Sequence, residues 1–460
     1  MKRYLMGILI LLLLGYISSY AGEVKIQDRS IKGGVILRIR HEYWKNLFDM
    51  NNASLDNRNF FRFRPSLWAQ TDFNKNMSLY LRLTNEFRAH IYFGGRSGTF
   101  PDKNANKKGY HFDINEVFFD NLYLDLKNVL GLPLDLCIGR QDLLGYGEGF
   151  ILMDGTPGDG GRSLYFNAAK ATWWIDENNT LDLIYINNPR DEEFLPLINK
   201  FKFRDYRYPT RDPLLQNLST TDEQGGVIYL KNKAIKNLNL EAYYVYKYEA
   251  EEGGVGAQAE KCKLNTIGSF VKYSLAPWAI RAQIAGQFGD YGNEDRTGLG
   301  AYAYLDREFK EAIYSPSATI GYIFLSGDKT TTSKNEGWDP IFSRWGWLSE
   351  LYVYSMAIDT SISYYWTNLS VLRALLALKP TEASKLTLVY NHLWADEKTT
   401  ASAVRSGTSK DRGHLLQLRF DYPFNKNING YILVEYFKPG DFYVEKDSAL
   451  FLRTEANFKF

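Results

Sequence analysis

Six arginines fall into three closely spaced pairs: Arg38 with Arg40, Arg62 with Arg64, and Arg82 with Arg88. A guanidinium is permanently charged and offers a planar fork of donors that grips a carboxylate through two atoms at once. Several of them on one surface would bind or steer anions rather than make bonds. No competing chemistry is encoded nearby. The five histidines, His41, His90, His111, His392 and His414, show no metal-ligand spacing. There is no Gly-x-Ser-x-Gly elbow, and the glycines between Gly158 and Gly161 lack the Lys-Ser/Thr ending of a phosphate-binding loop. The expectation is a protein that is not an enzyme and uses no metal and no cofactor.

The segments that carry the arginines share one pattern. Val35, Leu37, Ile39 and Tyr43 alternate with Arg38, Arg40 and Glu42. Phe61, Phe63, Leu67 and Ala69 alternate with Arg62, Arg64, Ser66, Gln70 and Asp72. Leu79, Leu81, Leu83, Phe87 and Ala89 alternate with Tyr80, Arg82, Thr84, Glu86 and Arg88. A period of two is a β-strand with one apolar and one charged face. The chain ends in the same way, with Leu450, Leu452, Thr454, Ala456, Phe458 and Phe460 on one parity.

Two solvents can lie against the apolar face: a protein core or lipid. The connections discriminate. Short links near Asn74–Asn76, Leu130–Pro133, Asp176–Thr180, Lys231–Asn237, Ala276–Pro277, Lys379–Ser384 and Asn425–Asn427 alternate with long ones. The long ones run near Gly94–Tyr110, Gly145–Gly161, Pro189–Gly225, Glu249–Lys261, Gly327–Trp347, Asp396–Arg412 and Lys438–Asp447. Such alternation marks outer-membrane barrels, in which short periplasmic turns face long extracellular loops. The pattern predicts an all-β fold, a single transmembrane antiparallel β-barrel of about 18 strands.

Composition agrees. The residues are 15% aromatic, with 33 Tyr and 10 Trp, which aromatic girdles at the two membrane surfaces would use. After the first apolar run no segment is long and apolar enough for a membrane helix. That first run, Leu5 to Ile17, follows Lys2 and Arg3 and precedes Ser19 and Ala21, as a cleavable export signal does. Residues 1–21 are therefore expected to be a signal peptide and residues 22–460 the barrel. Both termini would then lie in the periplasm of a Gram-negative bacterium. Phe460 is expected to be the terminal signal read by the barrel-assembly machinery. Cys137 and Cys262 lie on separate strands and are expected to stay unpaired.

A barrel of this size leaves an aqueous lumen unless loops fill it. A charge on the lipid face costs about 2–4 kcal/mol near the midplane, so the arginine parity must face inward. Along a strand the inward positions lie ~6.8 Å apart, and between strands ~4.8 Å, within the ~8 Å screening length of physiological salt. Arg38, Arg40, Arg62, Arg64, Arg82 and Arg88 then act as one field, with Glu86 among them and Lys170, Arg281 and Arg419 as further contributors. The alternative is that each arginine pairs with a carboxylate such as Glu42, Asp72, Glu86 or Glu116 and only braces the wall. Trp68 and Tyr80 are placed to stack on sugar rings or to pack the wall. The loop from Pro189 to Gly225 carries Arg204, Arg207 and Arg211 among aromatic residues, and is a candidate constriction loop or a solvated loop facing lipopolysaccharide.

Three segments carry a resemblance. Ile138-Gly139-Arg140-Gln141-Asp142-Leu143 precedes Tyr146, Gly147 and Glu148. Ser326-Gly327-Asp328 precedes Gly337-Trp338-Asp339-Pro340-Ile341-Phe342. Asn368-Leu369 is followed by Lys379-Pro380 and by His392-Leu393-Trp394. In this order they resemble the bacterial alginate-export family of outer-membrane porins, from about the first strand to the last. The resemblance implies a monomeric 18-stranded barrel with an electropositive pore, with Arg140, Asp142 and Asp328 at pore-loop motifs. Residues Asp154 to Arg162 depart from the family pattern, with a turn-rich loop where a tryptophan-bearing segment is expected.

The expected function is passive, anion-selective passage of anionic saccharides, alginate-like polymer or uronate oligomers. A general diffusion porin for nutrient uptake and a secreted soluble β-rich carbohydrate-binding protein are the alternatives. The partners expected are an anionic saccharide or small anion, outer-membrane lipid and lipopolysaccharide, and no nucleic acid.

Overall fold

The alternating segments form strands that pair only with their neighbours along the chain. The computed structural model describes residues 23–26, 29–46, 50–53, 57–90, 111–151, 166–190, 192–196, 222–250, 261–329, 331–343, 347–351, 366–398 and 409–460. A short leading strand, β1 (Glu23–Ile26), is followed by β2 (Arg29–Lys45), β3 (Arg58–Asn74), β4 (Met77–His90), β5 (His111–Leu126), β6 (Leu134–Gln141) and β7 (Phe166–Trp174). Next come β8 (Asn179–Asn188), β9 (Glu223–Asn232), β10 (Leu238–Glu249), β11 (Cys262–Leu275), β12 (Trp278–Tyr291) and β13 (Glu294–Glu308). The set ends with β14 (Ser317–Leu325), β15 (Leu369–Leu378), β16 (Lys385–Trp394), β17 (Asp411–Pro423), β18 (Ile428–Pro439) and β19 (Ala449–Lys459).

Strands β2 to β19 close on themselves. The last pairs antiparallel with β2, from Leu450 opposite Lys45 to Lys459 opposite Ile36, which makes a barrel of 18 strands as the sequence predicts. Closure leaves no open sheet edge. Phe460 finishes the seam by exchanging backbone hydrogen bonds with Val35 at 2.8 and 2.9 Å. The start of β2 projects beyond that seam, and β1 pairs with it there, Glu23 opposite Lys32.

The two faces separate as the pleat requires. Leu183, Tyr185, Ile228, Ile284, Phe288, Ile320, Leu372 and Leu418 are exposed on the outside of their strands. A belt of large exposed apolar side chains all the way round suits hydrocarbon and not water. The connections alternate as predicted: β3 and β4 join through Lys75 and Asn76, and β11 and β12 through Ala276 and Pro277, whereas β14 and β15 are separated by residues 326–368. One link departs from the rule. At the long-loop end β12 and β13 join through Gly292 and Asn293 alone. Gly292 adopts φ +59°, the left-handed conformation that a two-residue hairpin needs.

The inner face is less wet than the alternation predicts. Ile184, Ile186, Val245, Leu264, Ile323 and Val371 point inward and are buried. They pack with residues 142–151, 338–343 and 347–351, which fold into the barrel and form one apolar cluster with it. The expected signal peptide, the turn-rich loop at residues 154–162, and Arg204, Arg207 and Arg211 lie outside the described residues.

Candidate functional site

The arginines do share the inner face. Register sets Arg38 opposite Arg64, Arg40 opposite Arg62, and Arg62 opposite Arg88. Like charges directly opposite repel, so carboxylates are needed between them. Arg38 pairs with Glu86 at 3.0 Å; Arg62 reaches Glu86 at 2.7 Å and Glu42 at 3.1 Å. Arg40 meets Glu455 at 2.6 Å and Glu42 at 3.4 Å. Arg64 and Arg82 share Asp120 at 3.0 and 2.9 Å, and Arg82 also touches Asp142 at 3.4 Å. Arg453 joins Glu42 to Glu350, the latter at 2.6 Å.

The first three predicted strands carry more arginines than carboxylates, yet among the described residues ion pairs join six arginines of the network to six carboxylates. The missing anions come from elsewhere. Glu455 arrives when β19 closes the barrel, and Glu350 and Asp142 come from the infolded segments. Asp120 is supplied by a β-bulge: register passes from Arg82 opposite Asn121 to Leu83 opposite Phe119. The extra residue lets both Asp120 and Asn121 turn to the network, where Asn121 donates to Asp142 at 2.9 Å. None of these partners is visible in a local pattern.

The remaining predicted site residues scatter. Arg88 lies over the Phe60 ring at 5.3 Å. Arg140 stands outside the network; it grips Glu192 through two bonds of 2.8 and 2.9 Å and donates to Asn167 and to the Phe119 carbonyl. Asp328 is exposed and accepts the Glu336 backbone N–H at 2.9 Å, which organises its own loop. Arg281 pairs with Asp306 at 2.7 Å and Glu148 at 2.8 Å, and Arg419 with Asp421 at 2.6 Å. Trp68, Tyr80 and Tyr123 form a stack across β3, β4 and β5, with centroids 6.2 and 5.2 Å apart.

Among the described residues, the segments that narrow the barrel are 142–151, 338–343 and 347–351. The Tyr146 hydroxyl donates to Asp182 on β8 at 3.0 Å; burial, with that carboxylate beside it, pushes the phenol up and keeps it a donor. Gly147 donates its N–H to the Tyr229 hydroxyl on β9 at 2.8 Å. Its φ is +56°, and a Cβ there would lie 2.5 Å from the Gln283 amide, so only glycine fits without displacement. Glu148 reaches Arg281 on β12 and Tyr302 on β13. Phe150 then stacks on Trp338 at 4.9 Å, which ties the first segment to the second.

Residues 338–343 and 347–351 are held at several points. Asp339 and Gln287 exchange two hydrogen bonds of 2.8 Å, and Lys247 donates to the Ile341 carbonyl at 2.6 Å. Gln417 donates to the Leu348 carbonyl at 3.0 Å, and Ser349 and the Glu350 N–H both reach Glu435. Residues 338–343 thus hold to the inner wall at β10 and β12, and residues 347–351 to that at β17 and β18. Both infolded segments begin in the motifs that the sequence singles out, Arg140 to Glu148 and Gly337 to Phe342. The signal that marks them is a run of glycines and aromatics beside strand ends; it does not say which way the loop turns.

Glu249, Cys262 and Asp339 present ligand atoms within 4.8 Å of one another. Cations of the chain already occupy that cluster: Lys247 lies 2.8 Å from Glu249 and Arg296 3.2 Å from Asp339. It is an ion-pair group. Cys262 is buried there and Cys137 lies apart, both as free thiols.

The family model described as alginate export matches residues 213–455. No curated protein matches the chain. Solved structures resemble it over nearly their whole length. For the outer membrane protein opdK from Pseudomonas aeruginosa the TM-score is 0.55 at 11% identity, covering 93% of this chain and 98% of that one. For P. aeruginosa OccK2 (OpdF), solved in complex with glucuronate, it is 0.53 at 12% identity, covering 94% and 98%. For Acinetobacter baumannii OccAB4 it is 0.52 at 11% identity, covering 93% and 98%. At such identities the likeness is one of fold.

Proposed function

Because the chain belongs to the alginate-export family, we propose that this outer-membrane channel passes anionic saccharides passively and prefers anions to cations. The substrates proposed are alginate-like polymer or shorter uronate oligomers. The chain is a channel and not an enzyme. The belt of lipid-facing side chains and the need for closure remove the soluble carbohydrate-binding alternative.

One observation carries the anion preference. On β2 to β5 the carboxylates lie beneath the guanidiniums. Glu42 and Glu86 are fully buried and Asp120 is 1% exposed, whereas Arg38 and Arg64 keep 6% and Arg82 keeps 13%. Where Arg38, Arg64 and Arg82 pair with Glu86 and Asp120, a solute passing this wall meets the positive partner first. Weak contacts at several sites favour conduction over capture. The carboxylates hold the guanidiniums fixed, so little ordering cost falls on the solute.

A second reading, a non-selective diffusion porin, draws support from the edges of the same network. Asp142, Glu455 and Glu350 are more exposed than their arginine partners. Reversal potential across a planar bilayer in a salt gradient separates the two. A potential of the sign set by anion permeation supports the proposal. A value near zero favours the diffusion porin, and cation preference overturns anion selectivity.

A further inference from the structure

A recess of about 510 Å³ opens on the inner wall toward the short-turn end, between β4 and β7. Its floor is aromatic. Tyr80 and Tyr123 stand opposite each other in register and stack at 5.2 Å. Beyond Tyr123 the wall becomes thin: the next residues in that row are Gly139 and Ala168. Gly139 has φ +127°, and a Cβ on it would lie 2.3 Å from the Leu122 carbonyl oxygen, so the backbone keeps this position bare. One ring face is therefore left without a neighbouring side chain in its own row.

The charges around the floor are unequal in a telling way. Asp142 is engaged by Arg82 and Asn121; Asp125 and Asp135 are both engaged by Lys127 at 3.2 Å, and Asp135 also accepts from Trp174. Lys170, on the same lining, has no hydrogen-bond or ion-pair partner among the described residues. It sits opposite Cys137, two strands from Asp125 and hence about 10 Å round the wall from the tyrosine strand. A four-carbon lysine stem is long enough to span part of that gap.

We infer that this recess is a uronate subsite, in which the Tyr123 ring, backed by Tyr80, takes the apolar face of a pyranose and Lys170 takes its carboxylate. A sugar ring presents C–H groups on one face and hydroxyls at its edge, so an aromatic floor with polar rims suits it. The lining carries as many acidic as basic groups, so selection rests on the Lys170 ammonium, which has no partner among the described residues, rather than on net charge. The inference deepens the anionic-saccharide reading above and rests on it.

The test is concentration-dependent block of single-channel current by two probes, a mannuronate trisaccharide and neutral mannotriose, on the full chain. Lys170→Met is expected to weaken block by the uronate about tenfold and leave mannotriose unchanged. Tyr123→Ala is expected to weaken both probes, and Lys170→Arg to keep uronate block. Each variant is first shown to insert and conduct. Wild-type block by both probes in Lys170→Met and Tyr123→Ala overturns the subsite. So does an equal loss for both probes in Lys170→Met, which would mean a disturbed wall. Reversal potential is read in the same recordings: cation preference with Lys170-dependent uronate block would sink the selectivity reading and keep the subsite.

Discussion

Arg453 Nε donates to Glu42 Oε1 at 2.7 Å across the seam where the last strand meets the first strand of the barrel. Glu42 also receives Arg40 and Arg62, so one buried carboxylate gathers three guanidiniums from β2, β3 and β19. Closing the barrel brings Glu455 to Arg40 and Arg453 to Glu42, and so completes the charge network on β2. The charge network that faces the lumen is also a clasp.

Glu42→Gln should therefore loosen the seam. Removing one partner of a buried pair costs about 3–5 kcal/mol, because the other charge remains in a dry site. The midpoint for unfolding in detergent, followed by tryptophan fluorescence in denaturant, should fall clearly below that of the wild type. An unchanged midpoint would mean that the three arginines do not depend on Glu42.

Within the ladder, exposure separates bracing from conduction. Arg62 is 1% exposed and holds both Glu42 and Glu86, whereas Arg82 keeps 13% of its side chain accessible. Arg82→Ser should move the reversal potential toward zero with a smaller loss of stability than Arg62→Ser, because Arg64 still holds Asp120. Arg62→Ser should do the opposite, lowering the unfolding midpoint by more than any shift in selectivity explains. Equal shifts in potential from the two variants would remove this distinction.

The infolded segment 142–151 depends on Gly147, whose φ of +56° and contact with Gln283 leave no room for a side chain. Gly147→Val should cost about 1–3 kcal/mol of local strain and lift the segment from β9 and β12. Single-channel conductance should rise as the lumen widens. Conductance equal to that of the wild type would show that the segment does not limit the path.

Ile284 lies mid-strand on β12, 54% exposed on the outer face. Ile284→Arg should cost about 2–4 kcal/mol if that face meets the bilayer centre. Folding yield and stability in lipid vesicles measure it. A neutral effect would place the residue against water or protein.

The barrel was legible because the pleat repeats every two residues and the charges obey it; strand number and the alternation of short and long links follow from that one period. What stayed hidden depends on contacts between distant parts of the chain. Glu455 reaches Arg40 only after closure, and Asp120 enters through an inserted residue that alternation cannot mark. The apolar residues Ile184, Val245 and Val371 fall on the inward parity, where a water-filled lumen would disfavour them. Their presence was the available sign that chain segments fold inside. Arg140 followed a motif, yet its partner Glu192 lies on another loop and takes it out of the ladder.

Passage of the proposed solute can be measured without intermediate assumptions. Vesicles carrying the full chain are loaded with an oligomer of mannuronate or with a neutral mannose oligomer of equal length, and the efflux of each is followed. Faster release of the charged oligomer is the outcome expected here. Equal or slower release would contradict a channel built for anionic saccharides.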